Sequence, residues 1–180
     1  MTLPNKLTIL RVCLIPIFLL LYPANILGDP ISRYAALCVF ILAALTDALD
    51  GYIARKKNLI TNFGKLMDPM ADKLLVAAAL IAMVQTAALQ AWVVIIIISR
   101  EFLITGFRML ALERGVVIAA SPWGKSKTIS QIAMIVLVIP GFIPNTFLWP
   151  VIGISVVLTI VSAVDYVLKN KSVMSETEAP

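Results

Sequence analysis

Residues 46–73 read TDALDGYIARKKNLITNFGKLMDPMADK, and they place four aspartates between two apolar stretches of the chain. Asp47 and Asp50 are three residues apart, whereas Asp68 and Asp72 are four residues apart. Each pair therefore falls on one face of a helix, because an α-helix repeats every 3.6 residues. The segment between the pairs is short. It predicts two antiparallel neighbouring helices whose acidic faces can converge.

The remainder of the sequence indicates a membrane protein. Of its 180 residues, 61% are hydrophobic and 14% are charged, and the mean hydropathy is +0.98, far above that of a soluble domain. A membrane span needs about 20 residues. Uncharged stretches cover residues 12–28, 34–46, 74–99 and 128–164. The last stretch is interrupted by a turn signal at residues 140–145, so it predicts two helices. The third stretch and its flanks, residues 63–112, likewise predict two helices, with a short break near residues 85–90.

We therefore expect an all-α integral membrane protein with six transmembrane helices. The first apolar segment lacks the small-residue cleavage site of a signal peptide, and we interpret it as a retained helix. The helices are predicted at residues 8–27, 32–55, 62–85, 90–113, 126–142 and 147–168. Residues 1–169 would form one transmembrane catalytic domain, followed by a polar, disordered tail at residues 170–180.

The distribution of basic residues predicts the orientation of the helices. Only Arg33 lies near the turns at residues 28–33, 85–90 and 140–150. Because cytoplasmic loops carry an excess of Lys and Arg, both termini are expected in the cytoplasm. The basic residues of the opposite face are Lys6, Arg11, Arg55, Lys56, Lys57, Lys65, Arg108, Arg114, Lys125, Lys127, Lys169 and Lys171.

The four aspartates are the main candidates for chemistry. Ionised groups at membrane depth are costly, so they are expected to face a cavity and to have partners. Four carboxylates on two facing helices would repel one another, and bound divalent cations would relieve that repulsion. Oxygen-only ligands suit Mg²⁺ or Mn²⁺, which commonly bind substrate phosphates as well. The chain has no histidine, so the commonest general base and the commonest zinc ligand are excluded.

The four aspartates also have three alternative interpretations. Ion pairs with Arg55, Lys65 and Lys73 would hold two helices together, but one or two pairs would suffice for that purpose. A cation or proton transporter is the alternative from a different functional class, although transport sites usually lie near the middle of the membrane. A calcium loop of the EF-hand type is excluded, because Leu49 and Gly51 occupy positions where oxygen ligands are required.

The complete pattern resembles the signature of the CDP-alcohol phosphotransferases. It reads Asp47-x2-Asp50-Gly51-x2-Ala54-Arg55-x8-Gly64-x3-Asp68-x3-Asp72, with every fixed residue and spacing intact. The resemblance covers nearly the whole chain. It implies six transmembrane helices and the donor, metal and acceptor sites of that family. No nucleic-acid partner is expected.

The resemblance implies a role for each residue of the signature. Asp47, Asp50, Asp68 and Asp72 would form a site for two Mg²⁺ or Mn²⁺ ions, and Asp72 would also be the general base. The ions would bridge the pyrophosphate of a CDP-linked lipid. The expected donor-binding residues are Thr8, Arg11, Gly51, Ala54, Arg55 and Gly64.

Further motifs resemble the bacterial branch that makes phosphatidylglycerophosphate from CDP-diacylglycerol and glycerol 3-phosphate. They are Pro4-Asn5-x2-Thr8-x2-Arg11, the run from Arg100 to Arg108 and the segment Gly124-Lys125-Ser126-Lys127-Thr128. Arg100, Arg108, Lys125 and Lys127 would then bind the acceptor phosphate. An acceptor such as inositol phosphate, serine or phosphatidylglycerol is the alternative. The branch implies a homodimer in the bacterial cytoplasmic membrane, with its active site on the cytoplasmic side.

Overall fold

The computed structural model describes residues 3–57, 62–113 and 121–170, and the side chains of residues 9–46, 70, 71, 73–111 and 121–170 within them. This part of the chain consists of six helices and contains no strand, which confirms the predicted all-α class. The helices are α1 (Leu3–Leu21), α2 (Ile31–Lys57), α3 (Asn62–Gln85), α4 (Ala91–Glu113), α5 (Pro122–Val138) and α6 (Asn145–Lys169).

The end of α1 differs from the prediction. The helix stops at Leu21 rather than at residue 27. Pro23 follows almost immediately, and it lacks the amide hydrogen that a continuing helix needs. Asn25 and Gly28 then adopt positive φ angles of 53° and 76°, which reverse the chain direction. Residues 22–28 are thus an apolar turn, and hydropathy alone extended the predicted helix too far.

Both ends of α5 also differ from the prediction of residues 126–142. The helix begins at Pro122, and the Ser121 hydroxyl caps it by accepting a hydrogen bond from the Gly124 amide at 3.2 Å. Serine at the cap followed by proline at the first helical position is a favourable start. The helix ends at Val138, because Pro140 cannot continue it and Gly141 has a positive φ of 74°.

The chain divides into two compact units, and the first comprises residues 1–90 and 135–144. In this unit α1 packs against both α2 and α3, which also contact each other. Phe18 stacks on Tyr22 and lies against Phe40, with ring centroids 5.6 Å and 6.1 Å away. The core of the unit is completed by small alanines that permit close helix approach. These buried alanines are Ala36, Ala43, Ala71, Ala79 and Ala82.

Two polar contacts close the turns of the first unit. The Ser32 hydroxyl donates a hydrogen bond to the Leu21 carbonyl at 2.6 Å, which satisfies a carbonyl that the end of α1 leaves open. Arg33 forms an ion pair with Asp29 at 2.8 Å, and its guanidinium occupies the space that a Cβ atom on Gly141 would need. Both the positive φ angle and the close approach of Arg33 therefore favour glycine at position 141.

The second unit comprises residues 91–134 and 145–180. Within it α4 contacts α6, and α5 is joined to its neighbours by side-chain hydrogen bonds. One of these runs from the Ser155 hydroxyl on α6 to the Ser130 carbonyl on α5, at 3.0 Å. Buried side chains from α4 and α6 include Ile97, Ile104, Ile152, Val156 and Tyr166.

The helix surfaces are apolar enough to contact lipid. Among the described residues, α6 is the one helix that is long and apolar enough to cross a membrane by length and composition. Its 25 residues correspond to about 37 Å, compared with a hydrocarbon core of about 30 Å. Shorter apolar segments occupy Ile9–Leu21, Ile31–Thr46 and Lys73–Gln85. Every helix exposes large apolar side chains, such as Leu20, Leu42, Ile81, Phe102, Ile129 and Val157.

Candidate functional site

The four aspartates lie on two helices of the first unit. Asp47 and Asp50 belong to the second half of α2, and Asp68 and Asp72 belong to the first half of α3. The two helices contact each other, and only residues 58–61 separate them in the chain. The side chains of these aspartates lie outside the described residues. In the part of the chain whose side chains are described, there is no group of three acidic, cysteine or histidine residues that could hold a metal ion.

The predicted donor-binding residues belong to α1, α2 and α3. Thr8 lies on α1, Gly51, Ala54 and Arg55 lie on α2, and Gly64 lies on α3. Their side chains fall outside the described set as well. The helix spacing nevertheless places Ala54 on the face of Asp47 and Asp50, and Gly64 on the face of Asp68 and Asp72.

Arg11 is the predicted donor-binding residue whose side chain is described. It lies on α1 with 0% exposure, and it falls on the same helix face as the buried Phe18 and Tyr22. That face packs in a unit where α1 contacts both of the helices that carry aspartates. A guanidinium is costly to remove from water unless anionic or hydrogen-bonding groups surround it. Full burial therefore makes Arg11 a candidate for binding an anionic group.

Two of the four predicted acceptor-binding cations meet at Glu101 in the second unit. The Oε1 atom of Glu101 accepts a hydrogen bond from Arg100 Nη1 at 3.1 Å, and the same oxygen accepts one from Lys127 Nζ. The side chains of Lys127, Arg100 and Glu101 are 5%, 11% and 19% exposed. Arg100 also approaches the first turn of α5 near Gly124, where a Cβ atom would lie 4.0 Å from Arg100 Nη2. One carboxylate thus holds two nearly buried cations together.

The other two predicted cations have different surroundings. Arg108 is exposed, and its guanidinium carbon lies 5.7 Å from the ring centroid of Tyr166, within the range of a cation–π interaction. Phe107 contacts the same ring edge-on, at 5.7 Å between centroids. Lys125 is exposed near the start of α5, whereas Lys127, two positions later, is buried. Two positions along a helix correspond to a rotation of about 200°, so neighbouring lysines differ in this way.

Comparison with known proteins identifies the family. A family model described as CDP-alcohol phosphatidyltransferase matches residues 1–161. The chain belongs to this family. The match spans α1 to α5 and most of α6, and it confirms the resemblance inferred from the aspartate signature.

Several relatives of this CDP-alcohol phosphatidyltransferase carry curated names. The CDP-diacylglycerol–glycerol-3-phosphate 3-phosphatidyltransferase of Bacillus subtilis is 44% identical over 93% of this chain and 94% of its own length. The Rickettsia bellii protein of the same name is 39% identical over 91% of this chain and 92% of its own length. The probable phosphatidylglycerophosphate synthase of Mycobacterium tuberculosis is 36% identical over 93% of this chain and 80% of its own length.

The structure of this family member also contains polar residues that sequence reasoning missed. Gln131 on α5 and Thr159 on α6 are 2% and 0% exposed, and they are joined by a hydrogen bond at 3.0 Å. Their signal in the sequence was weak, because neither carries a charge. It consisted of one amide in an apolar helix and of hydroxyls at Ser155, Thr159 and Ser162, which repeat at helical spacing on α6.

Proposed function

We propose that this CDP-alcohol phosphatidyltransferase transfers the phosphatidyl group of CDP-diacylglycerol to sn-glycerol 3-phosphate, yielding phosphatidylglycerophosphate and CMP. The observation that carries the proposal is the intact aspartate signature, in a chain that is 44% identical over 93% of its length to a relative named for this reaction. The basic residues of α4 and α5 support an anionic acceptor.

The aspartate signature suits divalent metal ions. Two Mg²⁺ or Mn²⁺ ions would be held by Asp47, Asp50 and Asp68, together with Asp72. The donor set fits these ions, because it consists of carboxylate oxygens spaced one helical turn apart on two helices that contact each other. When bound, such ions stabilise the charge that develops on the oxygens of a transferring phosphoryl group.

Asp72 is proposed as the general base. It accepts the proton of the acceptor hydroxyl while that oxygen attacks the phosphorus attached to diacylglycerol. The bond between this phosphorus and the oxygen of the CMP phosphate then breaks, and CMP leaves. A carboxylate performs this step when its pKa is matched to the working pH.

The donor is proposed to bind beside α1, α2 and α3. Arg11 supplies a buried guanidinium that can form paired hydrogen bonds with phosphate oxygens. Thr8 lies one helical turn before Arg11 on the same face, where a hydroxyl can also reach the nucleotide. Gly51, Ala54, Arg55 and Gly64 complete the proposed donor set, and their small members allow a bulky headgroup to approach the backbone.

The phosphate of the acceptor is proposed to bind the cations of the second unit. Arg100 and Lys127 are held by Glu101, which compensates for their burial. Glu101 itself repels a phosphate, so its role is to position these two cations. Arg108, on the Tyr166 ring, and the exposed Lys125 contribute further positive charge. Each of the four cations can donate hydrogen bonds to phosphate oxygens.

The location of the enzyme follows from hydropathy and charge. We propose six membrane-spanning helices in the bacterial cytoplasmic membrane, with both termini and the active site on the cytoplasmic side. Residues 1–169 would form the catalytic domain and residues 170–180 a polar tail. We also propose a homodimer as the assembled form.

The function is tested with purified protein in detergent, CDP-diacylglycerol and Mg²⁺. CMP release is measured with sn-glycerol 3-phosphate, inositol 1-phosphate, serine, phosphatidylglycerol or no acceptor. We expect release with glycerol 3-phosphate and formation of phosphatidylglycerophosphate. Release with a different acceptor alone would contradict the proposed acceptor, and cation flux in proteoliposomes without a need for CDP-lipid would instead favour a transporter.

A further inference from the structure

A continuous line of buried hydrogen bonds leads from Lys127 into α6. Lys127 Nζ donates to Gln131 Oε1 at 3.3 Å, and Gln131 Nε2 donates to Thr159 Oγ1 at 3.0 Å. The Thr159 hydroxyl then donates to the Ser155 carbonyl at 2.7 Å. Measured over the whole residue, the exposed fractions of Lys127, Gln131 and Thr159 are 4%, 2% and 0%. These three side chains are called the Lys127 relay below.

The relay has a defined direction. An ammonium group can only donate hydrogen bonds, so it must face the oxygen of the Gln131 amide. The amide nitrogen then faces Thr159, whose oxygen accepts this bond while its hydrogen is given to the Ser155 carbonyl. Each group therefore fixes the orientation of the next one. Rotation of the Gln131 amide by 180° would place two donors against each other at Lys127.

We propose that Gln131 and Thr159 are positioning residues of the acceptor site. They hold the Lys127 ammonium in one place, so that it meets an anionic acceptor without first being ordered. A free lysine side chain loses rotamer entropy when it is fixed. Binding is tighter when this ordering is completed during folding. The inference rests on the proposed function, because it assigns Lys127 to the acceptor phosphate.

Helix packing alone does not account for the relay. Hydrogen bonds between membrane helices contribute only modestly to stability on average. Ser155 already joins α6 to α5 through the Ser130 carbonyl. An ionisable lysine is a costly addition to such an interface, and intramembrane charges generally mark functional sites. The line of bonds also ends on a cation that faces Glu101 on α4, so it connects α6 to the group of acceptor residues.

The test compares Thr159→Val, which keeps the shape of the side chain but removes the hydroxyl, with Thr159→Ser, which retains it. We expect Thr159→Val to raise the KM for glycerol 3-phosphate roughly tenfold, with kcat changed by less than about twofold. The KM for CDP-diacylglycerol should not change, and Thr159→Ser should resemble the wild type. Ser162→Ala is the matched control, because Ser162 is buried on the same helix and its hydroxyl donates to the Thr159 carbonyl, outside the Lys127 relay.

Binding without turnover gives a second readout. Glycerol 3-phosphate should raise the unfolding temperature of the wild type and of Ser162→Ala, but it should protect Thr159→Val less. An unchanged KM and unchanged protection in Thr159→Val would overturn the inference, as would equal increases in the KM of both substrates. If Thr159→Val does not fold, Gln131→Met provides the same comparison. CMP release by the wild type with another anionic acceptor would refute the proposed function, and the KM for that acceptor would then test the relay.

Discussion

Glu101 places two cations around a single carboxylate oxygen. Its Oε1 atom accepts hydrogen bonds from Arg100 and from Lys127, which lie on different helices. Loss of this carboxylate would remove the negative charge beside two nearly buried cations, and an unbalanced buried charge is usually costly. Glu101 would therefore contribute to the proposed acceptor site without contacting an anion. This role explains why an acidic residue belongs to a group of residues proposed to bind phosphate.

At the same scale, the aspartate signature leads to a prediction about metal binding. Asp50→Asn and Asp68→Asn keep the size of each side chain but remove its charge. We expect turnover to fall on the order of a hundredfold or more, because neutral amides bind Mg²⁺ weakly and the metal contributes several kcal/mol to the transition state. The measurement is CMP release across a range of Mg²⁺ concentrations.

Asp29→Asn serves as the control for these substitutions. Asp29 is exposed and pairs with Arg33 at the turn before α2, away from the signature in the sequence. It should retain nearly the full rate and the same Mg²⁺ dependence. Substantial metal-dependent turnover in Asp50→Asn or Asp68→Asn, with protein that elutes as a single species from size exclusion, would refute the proposed ligand role.

At the scale of the elements, α5 begins with a serine cap, and two lysines lie close to this capped end. The Ser121 hydroxyl accepts a hydrogen bond from the Gly124 amide, and Pro122 occupies the first helical position. Lys125 and Lys127 follow within the first two turns. The cap therefore links the stability of the helix start to the position of two cations that are proposed to bind the acceptor.

Ser121→Ala tests this link. Loss of a serine cap costs about 1 kcal/mol. In a protein of this size, the unfolding temperature of the variant should therefore fall by roughly 2–4 °C. Fraying of the first turn should also raise the KM for glycerol 3-phosphate. Ser121→Asp should restore both values, because aspartate is an equally good cap. Thermal unfolding and initial-rate kinetics provide the measurements.

Ser126→Ala controls for the loss of a hydroxyl on the same helix. Ser126 is exposed, and its hydroxyl bonds to the Pro122 carbonyl at 3.2 Å without capping an amide. This variant should show wild-type stability and kinetics. An equal effect of both alanine substitutions would argue against a specific contribution of the cap.

At the scale of the whole molecule, the basic residues determine the proposed orientation in the membrane. They lie near the termini, at the junction of α2 with α3 and at the junction of α4 with α5, whereas Arg33 is near the opposite turns. The positive-inside rule places the first set in the cytoplasm. The substrate glycerol 3-phosphate is then available at the side where these cations lie.

Labelling of single cysteines with a membrane-impermeant maleimide tests the orientation. The native Cys13 and Cys38 are exposed, so both are first replaced by alanine. Asn145→Cys, at the first residue of α6, should react in intact cells. Ser175→Cys, in the C-terminal tail, should react only after the membrane is permeabilised. Reaction of Ser175→Cys in intact cells would contradict a cytoplasmic C-terminus, and retained CMP release would confirm that each variant is folded.

The sequence by itself determined the helical class, the apolar character of the surface and the family. These properties depend on local composition, on helical periodicity and on residues at fixed spacing, all of which can be read along the chain. The predicted bounds of α3 were residues 62–85, the same as those in the structure. The predicted ends of α1 and α5 were less accurate. An apolar turn ends a helix without changing the mean hydropathy, and a serine cap starts a helix before the hydrophobic stretch begins.

Only the tertiary structure decided which side chains meet. Glu101 and Lys127 are 26 residues apart, and Gln131 and Thr159 are 28 residues apart. Their contacts depend on how each helix is rotated about its own axis against its neighbours. The apolar pattern of a lipid-facing helix specifies that rotation poorly, since lipid and packed core are equally apolar. Lys127 on α5 is therefore buried and bonded to Glu101 of α4, whereas Lys125, also on α5, remains exposed.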